Sequence, residues 1–279
     1  VPELPEVETV RRGLEQTVAG RRVTGLTVTG ARSVRRQTPT ELRRRLVGRR
    51  LTRATRKGKF LALLLDDGQA LVIHLRMSGQ LLHVPRPRSL PKAPHTHVVA
   101  RLDDGSELRF VDPRTFGEWW VTDDVGPDGR PELFSALGPD PIADGLTPTT
   151  LARRLAGHRT ALKAALTDQR VVAGIGNLYA DEICWWARVR PDRRCDTVTP
   201  EETRRLARQT RRVLLSAIEH RGSSLRDARY RDLMGETGSY QLRHEVYDRA
   251  GEPCRRCGGR IERVHFGARS AYCCTSCQH

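Results

Sequence analysis

Cys254 and Cys257 are separated by two residues, as are Cys274 and Cys277, and sixteen residues lie between the pairs. Paired C-x-x-C knuckles present four thiolates to one tetrahedral Zn²⁺, a metal that favours sulfur. A four-sulfur shell leaves no open coordination position, so the expected cofactor is a single structural zinc. Shifting the register to the adjacent Cys273 would pair it with Ser276, which leaves Cys274 as the ligand. The knuckles flank a hairpin that carries His265 and Arg269. Cys184 and Cys195 read as ordinary thiols, Cys184 in a core.

Two further stretches could do chemistry. GIGNLYADE at 174–182 sets two glycines and Asn177 at the start of a helix. Backbone N–H groups and the positive end of the helix dipole suit an anion there. Lys163, in the preceding helix, could converge on the same phosphate. The plainer reading makes Asn177 only a helix cap. The opening VPELPEVETV places Pro2 and Glu3 at the tip of a helix. Proline fits a first helical turn, where a missing N–H costs nothing, and a simple helix starter is the plain reading.

These residues need elements to hold them. Leu4, Val7, Val10, Leu14 and Val18 recur at three- and four-residue spacing and predict a helix over 2–19. From about 21 to 122 the pattern is that of strands. FLALLL, ALVIHL, HVVARL and ELRFV are short apolar runs, and LDDGQ and LDDGS read as hairpin turns between them. Residues 84–95 are a Pro/Arg-rich loop. Pro and Gly punctuate 126–149, the clearest boundary. TALKAALTDQ, LYADEICWWARV and EETRRLARQTRRVLLSAIEH then carry helical spacing. The expected class is α+β: a helix and antiparallel β-sandwich over 1–125, a linker over 126–149, a helical domain over 150–249 and a zinc finger over 250–279.

Lys and Arg number 49 against 33 Asp and Glu, a net charge of +16. That excess predicts a polyanionic partner, nucleic acid or an anionic membrane. Arginine-rich codon usage is the bland alternative. No run of 18 apolar residues suggests a membrane span. The N-terminus lacks a basic segment followed by an apolar one, so an intracellular, reducing location is expected and the seven cysteines are not read as disulfides.

PELPEVETVRRGL, RKGKF at 56–60, HLRMSGQL at 74–81, DPRTFG at 112–117, GIGNLYADE and the terminal finger stand in one order. Together they resemble the formamidopyrimidine-DNA glycosylases, over essentially the whole chain. The PELPEV opening with DPRTFG fits this branch better than the related endonuclease VIII branch. The resemblance implies a helix on a β-sandwich joined to a helix–two-turn–helix domain and a zinc finger, with duplex DNA between them. It implies excision of oxidised purines, mainly 8-oxoguanine and formamidopyrimidines, followed by strand cleavage at the abasic site, by a monomer in the cytoplasm or nucleoid. An oxidised-pyrimidine glycosylase and a catalytically dead DNA-binding paralogue are the alternatives.

By the same resemblance, Pro2 is the nucleophile and Glu3 the general acid/base. Glu6 is either a supporting carboxylate or a first-turn acid favouring the helix dipole. Val1 would make the Pro2 nitrogen an amide, so its removal is expected, Val1 reflecting a GTG start read literally. Lys59 matches the lysine near the lesion and its phosphate, ahead of Lys57. Arg269, Asn177 and Lys163 match a phosphate clamp. Met77, Arg114 and Phe116 match the residues that fill the hole left by a flipped base. His74 is expected to be structural. Residues 222–247 correspond to the loop covering the flipped base, the loosest part of the match, and Ala271 stands where the finger usually has a hydroxyl residue.

Overall fold

The protein, seen as a computed structural model describing residues 2–87, 90–225, 230–266 and 269–279, divides into two compact units. The first runs to Ala136 and takes up His220–Ser239. Helix α1 (Leu4–Thr17) opens it, and the stripe Leu4, Val7, Val10, Leu14 and Val18 is 0 % exposed. One antiparallel sheet has the order β1 (Val23–Val28), β6 (Thr96–Leu102), β7 (Glu107–Val111), β5 (Gln80–Val84). The other has the order β2 (Leu51–Lys57), β3 (Phe60–Leu65), β4 (Ala70–His74), β8 (Glu118–Thr122), with α2 (Pro39–Leu46) between β1 and β2 in the chain. Both sheets feed one apolar core. Phe110 of β7 and Trp119 of β8 meet across it with ring centroids 5.9 Å apart. In the two LDDG turns Gly68 and Gly105 both have φ of +83°, a conformation that side chains resist.

An ion network centred on the buried Glu8–Arg56 pair ties α1 to β2. Glu8 meets Arg56 at 3.0 Å, Arg11 at 3.0 Å and Arg12 at 2.9 Å. Burial alone would raise the Glu8 pKa, but the Arg11 and Arg56 guanidiniums overcome it and hold the carboxyl at about 2, against an ordinary 4.5. A depressed folded-state pKa contributes stability above the unfolded value, and that contribution is lost as pH falls from about 4.5 towards 2. Glu8→Gln is therefore expected to cost roughly 3 kcal/mol at pH 7. In urea melts at successive pH values the gap to the parent protein should close near pH 2.

Residues 220–239, expected in the helical domain, belong to the first unit for a physical reason. The His83 N–H donates to the Leu233 carbonyl at 2.8 Å, and Leu233 packs on Gly13, where a Cβ would stand 3.0 Å from it. The expected linker, 126–149, has turns of its own. It contains a 3₁₀ turn at Glu132–Phe134 and a π-helical turn at Pro141–Gly145. The fully buried Asp140 caps the latter by accepting the N–H groups of Ile142 and Ala143.

The second unit comprises Leu137–Glu219 and Tyr240–His279. It holds α3 (Pro148–Leu155), α4 (Leu162–Thr167), α5 (Asn177–Ala187), α6 (Pro200–Glu219) and a terminal hairpin, β9 (Ile261–Phe266) and β10 (Arg269–Cys274). Among the described residues no helix is long and apolar enough to cross a membrane.

Candidate active site and metal centre

Pro2 is buried and Glu3 is 4 % exposed at the N-terminus of α1. Glu3 and Glu6 form a reciprocal capping box, in which the Glu3 N–H donates to Glu6 Oε2 at 2.8 Å. The chain tip is thereby held against fraying. Glu6 is more than a first-turn acid, because its Oε1 also accepts the Ser223 N–H at 2.8 Å and its carbonyl accepts the Tyr230 hydroxyl at 3.3 Å. Gly222, with φ of +78°, passes so close that a Cβ would stand 2.6 Å from Glu6 Oε1. The structure thus brings Glu3 and Glu6 together with Gly222, Ser223 and Tyr230. Val1 and residues 226–229 of the expected lesion loop lie outside the described residues.

Lys59, in the β2–β3 turn, shares this neighbourhood. Burial lowers its pKa, while the charges of Glu3 and Glu6 raise it. His74 is pushed down to about 3 by burial, reinforced by Arg76 and Lys59, and is a neutral ring at pH 7. Its Nδ1 accepts the Arg76 N–H at 2.9 Å, and its ring meets Phe60 edge-on at 4.4 Å. Packing and this hydrogen bond give it the structural place expected.

Met77, Arg114 and Phe116 sit on two loops, β4–β5 and β7–β8, and all three are exposed. Met77 at 39 % and Phe116 at 46 % are not core residues. The Arg114 guanidinium stacks 5.1 Å from the Phe116 ring centre. One residue that the sequence did not single out joins the loops. The carboxylate of Asp112, 0 % exposed, accepts the Ser78 hydroxyl, the Arg114 N–H at 3.3 Å and the Gly117 N–H at 2.7 Å. Asp112→Asn keeps the size but loses one acceptor, and each unmet buried donor costs about 1–3 kcal/mol. We expect the variant to lose about 1–3 kcal/mol of stability. A thermal melt beside the parent protein checks that loss.

In the second unit Asn177 is exposed at the first position of α5, and the cap residue is Gly176 with no side-chain cap. Asn177 is therefore not spent on capping its helix. Gln169 staples the preceding turn. Its amide accepts the Gly174 N–H and donates to the Ile175 carbonyl, both at 2.8 Å. Lys163, expected as a phosphate ligand, stands in α4. It is 2 % exposed, with its ammonium 2.8 Å from Asp181 Oδ1 and donating to the Ser270 carbonyl at 2.8 Å. Asp181 Oδ2 also accepts the Tyr272 N–H at 3.0 Å, so the pair is a strut between α4, α5 and β10. Arg269, at the start of β10, stays exposed and donates to Thr167 Oγ1 at 3.0 Å. A second acid that the sequence did not flag, Glu182, is fully buried and accepts the N–H groups of Glu245, Val246 and Tyr247. These two acids were hidden inside an apparent helix motif.

The four knuckle sulfurs lie within 4.8 Å of one another. Cys254 and Cys277 are 3.9 Å apart, and Cys257 and Cys274 are 3.5 Å apart. A tetrahedron with Zn–S bonds of about 2.3 Å has edges of roughly 3.8 Å, so the cluster fits one structural Zn²⁺. The Trp185 indole N–H points at Cys254 Sγ at 3.4 Å and an Arg256 N–H at Cys277 Sγ at 3.6 Å, outer donors that favour thiolates. Cys184, Cys195 and Cys273 are buried away from the metal cluster.

A helix with two antiparallel sheets, a set of helices and a four-cysteine finger, in that order along the chain, define a protein built round a structural zinc site. Three family models match: the formamidopyrimidine-DNA glycosylase N-terminal domain over residues 1–119, the H2TH domain of the same enzymes over 137–229, and the zinc finger found in FPG and IleRS over 251–279. The formamidopyrimidine-DNA glycosylase of Herpetosiphon aurantiacus is 43 % identical over 279 residues, 100 % of both chains. The crystal structure of MutM (Fpg) from Thermus thermophilus superposes with a TM-score of 0.85 at 38 % identity, covering 99 % of this chain and 98 % of that one. Lactococcus lactis Fpg (MutM), solved with DNA containing N7-benzyl-Fapy-dG, gives 0.87 at 32 %, covering 99 % of each. The chain belongs to the formamidopyrimidine-DNA glycosylase family.

Proposed function

We propose that this protein is a bifunctional repair enzyme, which excises 8-oxoguanine and formamidopyrimidines from duplex DNA and cuts the strand at the abasic site it creates. The observation that carries the reading is the buried Pro2–Glu3 tip, locked by the Glu6 capping box, in a chain that matches the family along its length. With its nitrogen unblocked, Pro2 attacks C1′ of the damaged nucleoside. The N–C1′ bond forms as the base leaves with the glycosidic electron pair. Loss of the proton on nitrogen frees its lone pair, Glu3 delivers a proton to the ring oxygen, and the C1′–O4′ bond breaks to leave an iminium. The iminium acidifies the neighbouring sugar protons, and elimination breaks first one and then the other phosphate ester.

An α-amine has an ordinary pKa of about 7.7–8.0, so a useful neutral fraction exists at pH 7, which a lysine at about 10.4 lacks. Holding that amine on a helix end removes the positional freedom that would slow attack. Lys59 would contact the lesion or its phosphate, with Asn177 and Arg269 as phosphate ligands. Lys163 would act at one remove, by fixing the strand that carries Arg269. Met77, Arg114 and Phe116 would occupy the vacated stack. Excision assays on duplexes with 8-oxoguanine opposite cytosine, beside duplexes with thymine glycol, test this reading. Preference for thymine glycol would move the protein to the pyrimidine branch. Absence of a borohydride-trapped protein–DNA adduct would remove the lyase step.

A further inference from the structure

Helix α6 carries a feature that the reaction does not use. Its buried side packs on α3 and α5, while Arg204, Arg208 and Arg211 recur at four- and three-residue spacing along one exposed flank, with Arg212 beside them. Between this flank and the turn leading into α3 lies a groove of about 580 Å³. Leu146, Pro148, Ala207 and Leu215 give it an apolar floor.

The arginines are poised for an outside partner. Arg212 is stacked 4.1 Å over the Trp186 ring, which sets its direction. Glu201 offsets Arg204 at 2.6 Å. Arg208 and Arg211 are exposed and, among the described residues, have no salt-bridge partner. Like charges at this spacing on a helix repel one another. Carboxylates from another chain would relieve that repulsion through charge-assisted hydrogen bonds.

We propose that this groove docks a short acidic peptide segment of another protein, its carboxylates on Arg208 and Arg211 and an apolar side chain on the Leu146–Leu215 floor. Two observations favour a peptide over nucleic acid. The floor is concave and apolar, with room for one or two large side chains, whereas a phosphate backbone offers a convex polar rod. Glu219 lines the groove beyond the arginines and would repel a continuous polyanion, while a peptide can keep its acids at the other end. Arg204 to Glu219 spans about 22 Å of helix, the length of roughly six or seven extended residues. None of these residues belongs to the proposed excision or phosphate-binding machinery, so docking and repair are separately measurable.

Fluorescence anisotropy on the full-length, zinc-loaded protein tests the proposal, with a fluorescein-labelled Asp-Asp-Glu-Asp-Leu-Phe peptide as probe. We expect saturable binding that weakens at least about tenfold in the Arg208→Glu/Arg211→Glu variant. The same probe with serines in place of Leu-Phe should also bind more weakly, and excision of 8-oxoguanine should remain within about twofold of the parent, as for surface changes outside a site. The proposal is overturned if the peptide shows no saturable binding, if the double variant binds it equally, or if serine replacement changes nothing. Loss of duplex affinity in the double variant would likewise overturn it, by making this flank a DNA contact.

Discussion

A chain that keeps Val1 ahead of Pro2 is expected to be inert, and the same chain trimmed to Pro2 to be active. An amide nitrogen has no basic lone pair, so it can neither attack C1′ nor carry an iminium. Losing a nucleophile removes at least about 10³-fold in rate by analogy with other covalent catalysts. Intact-mass spectrometry assigns the leading residue, and borohydride reduction on abasic-site DNA counts the adduct. Only the trimmed form should cross-link. Two variants then separate the roles at the tip. Glu3→Gln should slow excision by about 10²–10⁴-fold, the usual worth of a general acid, with duplex affinity nearly intact. Pro2→Gly keeps an amine but loses the ring, so it should weaken the chemistry and again leave binding nearly unchanged. A large loss of affinity in either variant, or an adduct formed by untrimmed protein, would contradict the assignment.

Zinc removal should produce the other large effect. The apolar cluster on which the finger sits is small: Trp185 of α5, Val246, Cys254, Ile261 and Cys274, two of them metal ligands. A core of that size does not fold a hairpin by itself, and structural zinc contributes about 10–16 kcal/mol in comparable finger peptides. Chelation, or Cys254→Ser, is therefore expected to melt β9 and β10, releasing both Arg269 and the Ser270 carbonyl that Lys163 holds. The Trp185 side chain, with the Arg256 guanidinium 3.7 Å from its ring centre, should report this as a change in fluorescence. Duplex affinity should fall by at least about 10²-fold, since phosphate contacts dominate binding. Circular dichroism should still show the sandwich. Tight DNA binding by zinc-free protein would show that the finger carries none of the affinity.

What the sequence made legible follows from how local each signal is. The knuckles were readable because two residues between cysteines is itself the metal geometry. FLALLL and ALVIHL were readable because both faces of β3 and β4 are largely buried, which leaves continuous apolar runs. LTRATRK, the β2 strand, hid because Arg53 and Arg56 interrupt its apolar pattern, although Arg56 is buried against Glu8. The ion pair of Lys163 was not legible because its partners, Asp181 and Ser270, stand 18 and 107 residues away. Asp112 was visible within its motif, but its grip on Ser78, 34 residues earlier, needs the sheets to form first. Charge type could be read locally; whether a charge meets solvent or a buried counterion could not.

All seven cysteines fall in the second unit, so the unit holding Pro2 contains no thiol. Its oxidisable sulfur is confined to Met77 and Met234, both on the surface. Peroxide stress, the condition that multiplies damaged guanines, can therefore turn Met77 into a sulfoxide, and a polar, chiral group would then replace the apolar tip. That lesion is one that methionine sulfoxide reductases reverse, so the side chain proposed to enter the vacated stack can itself be repaired.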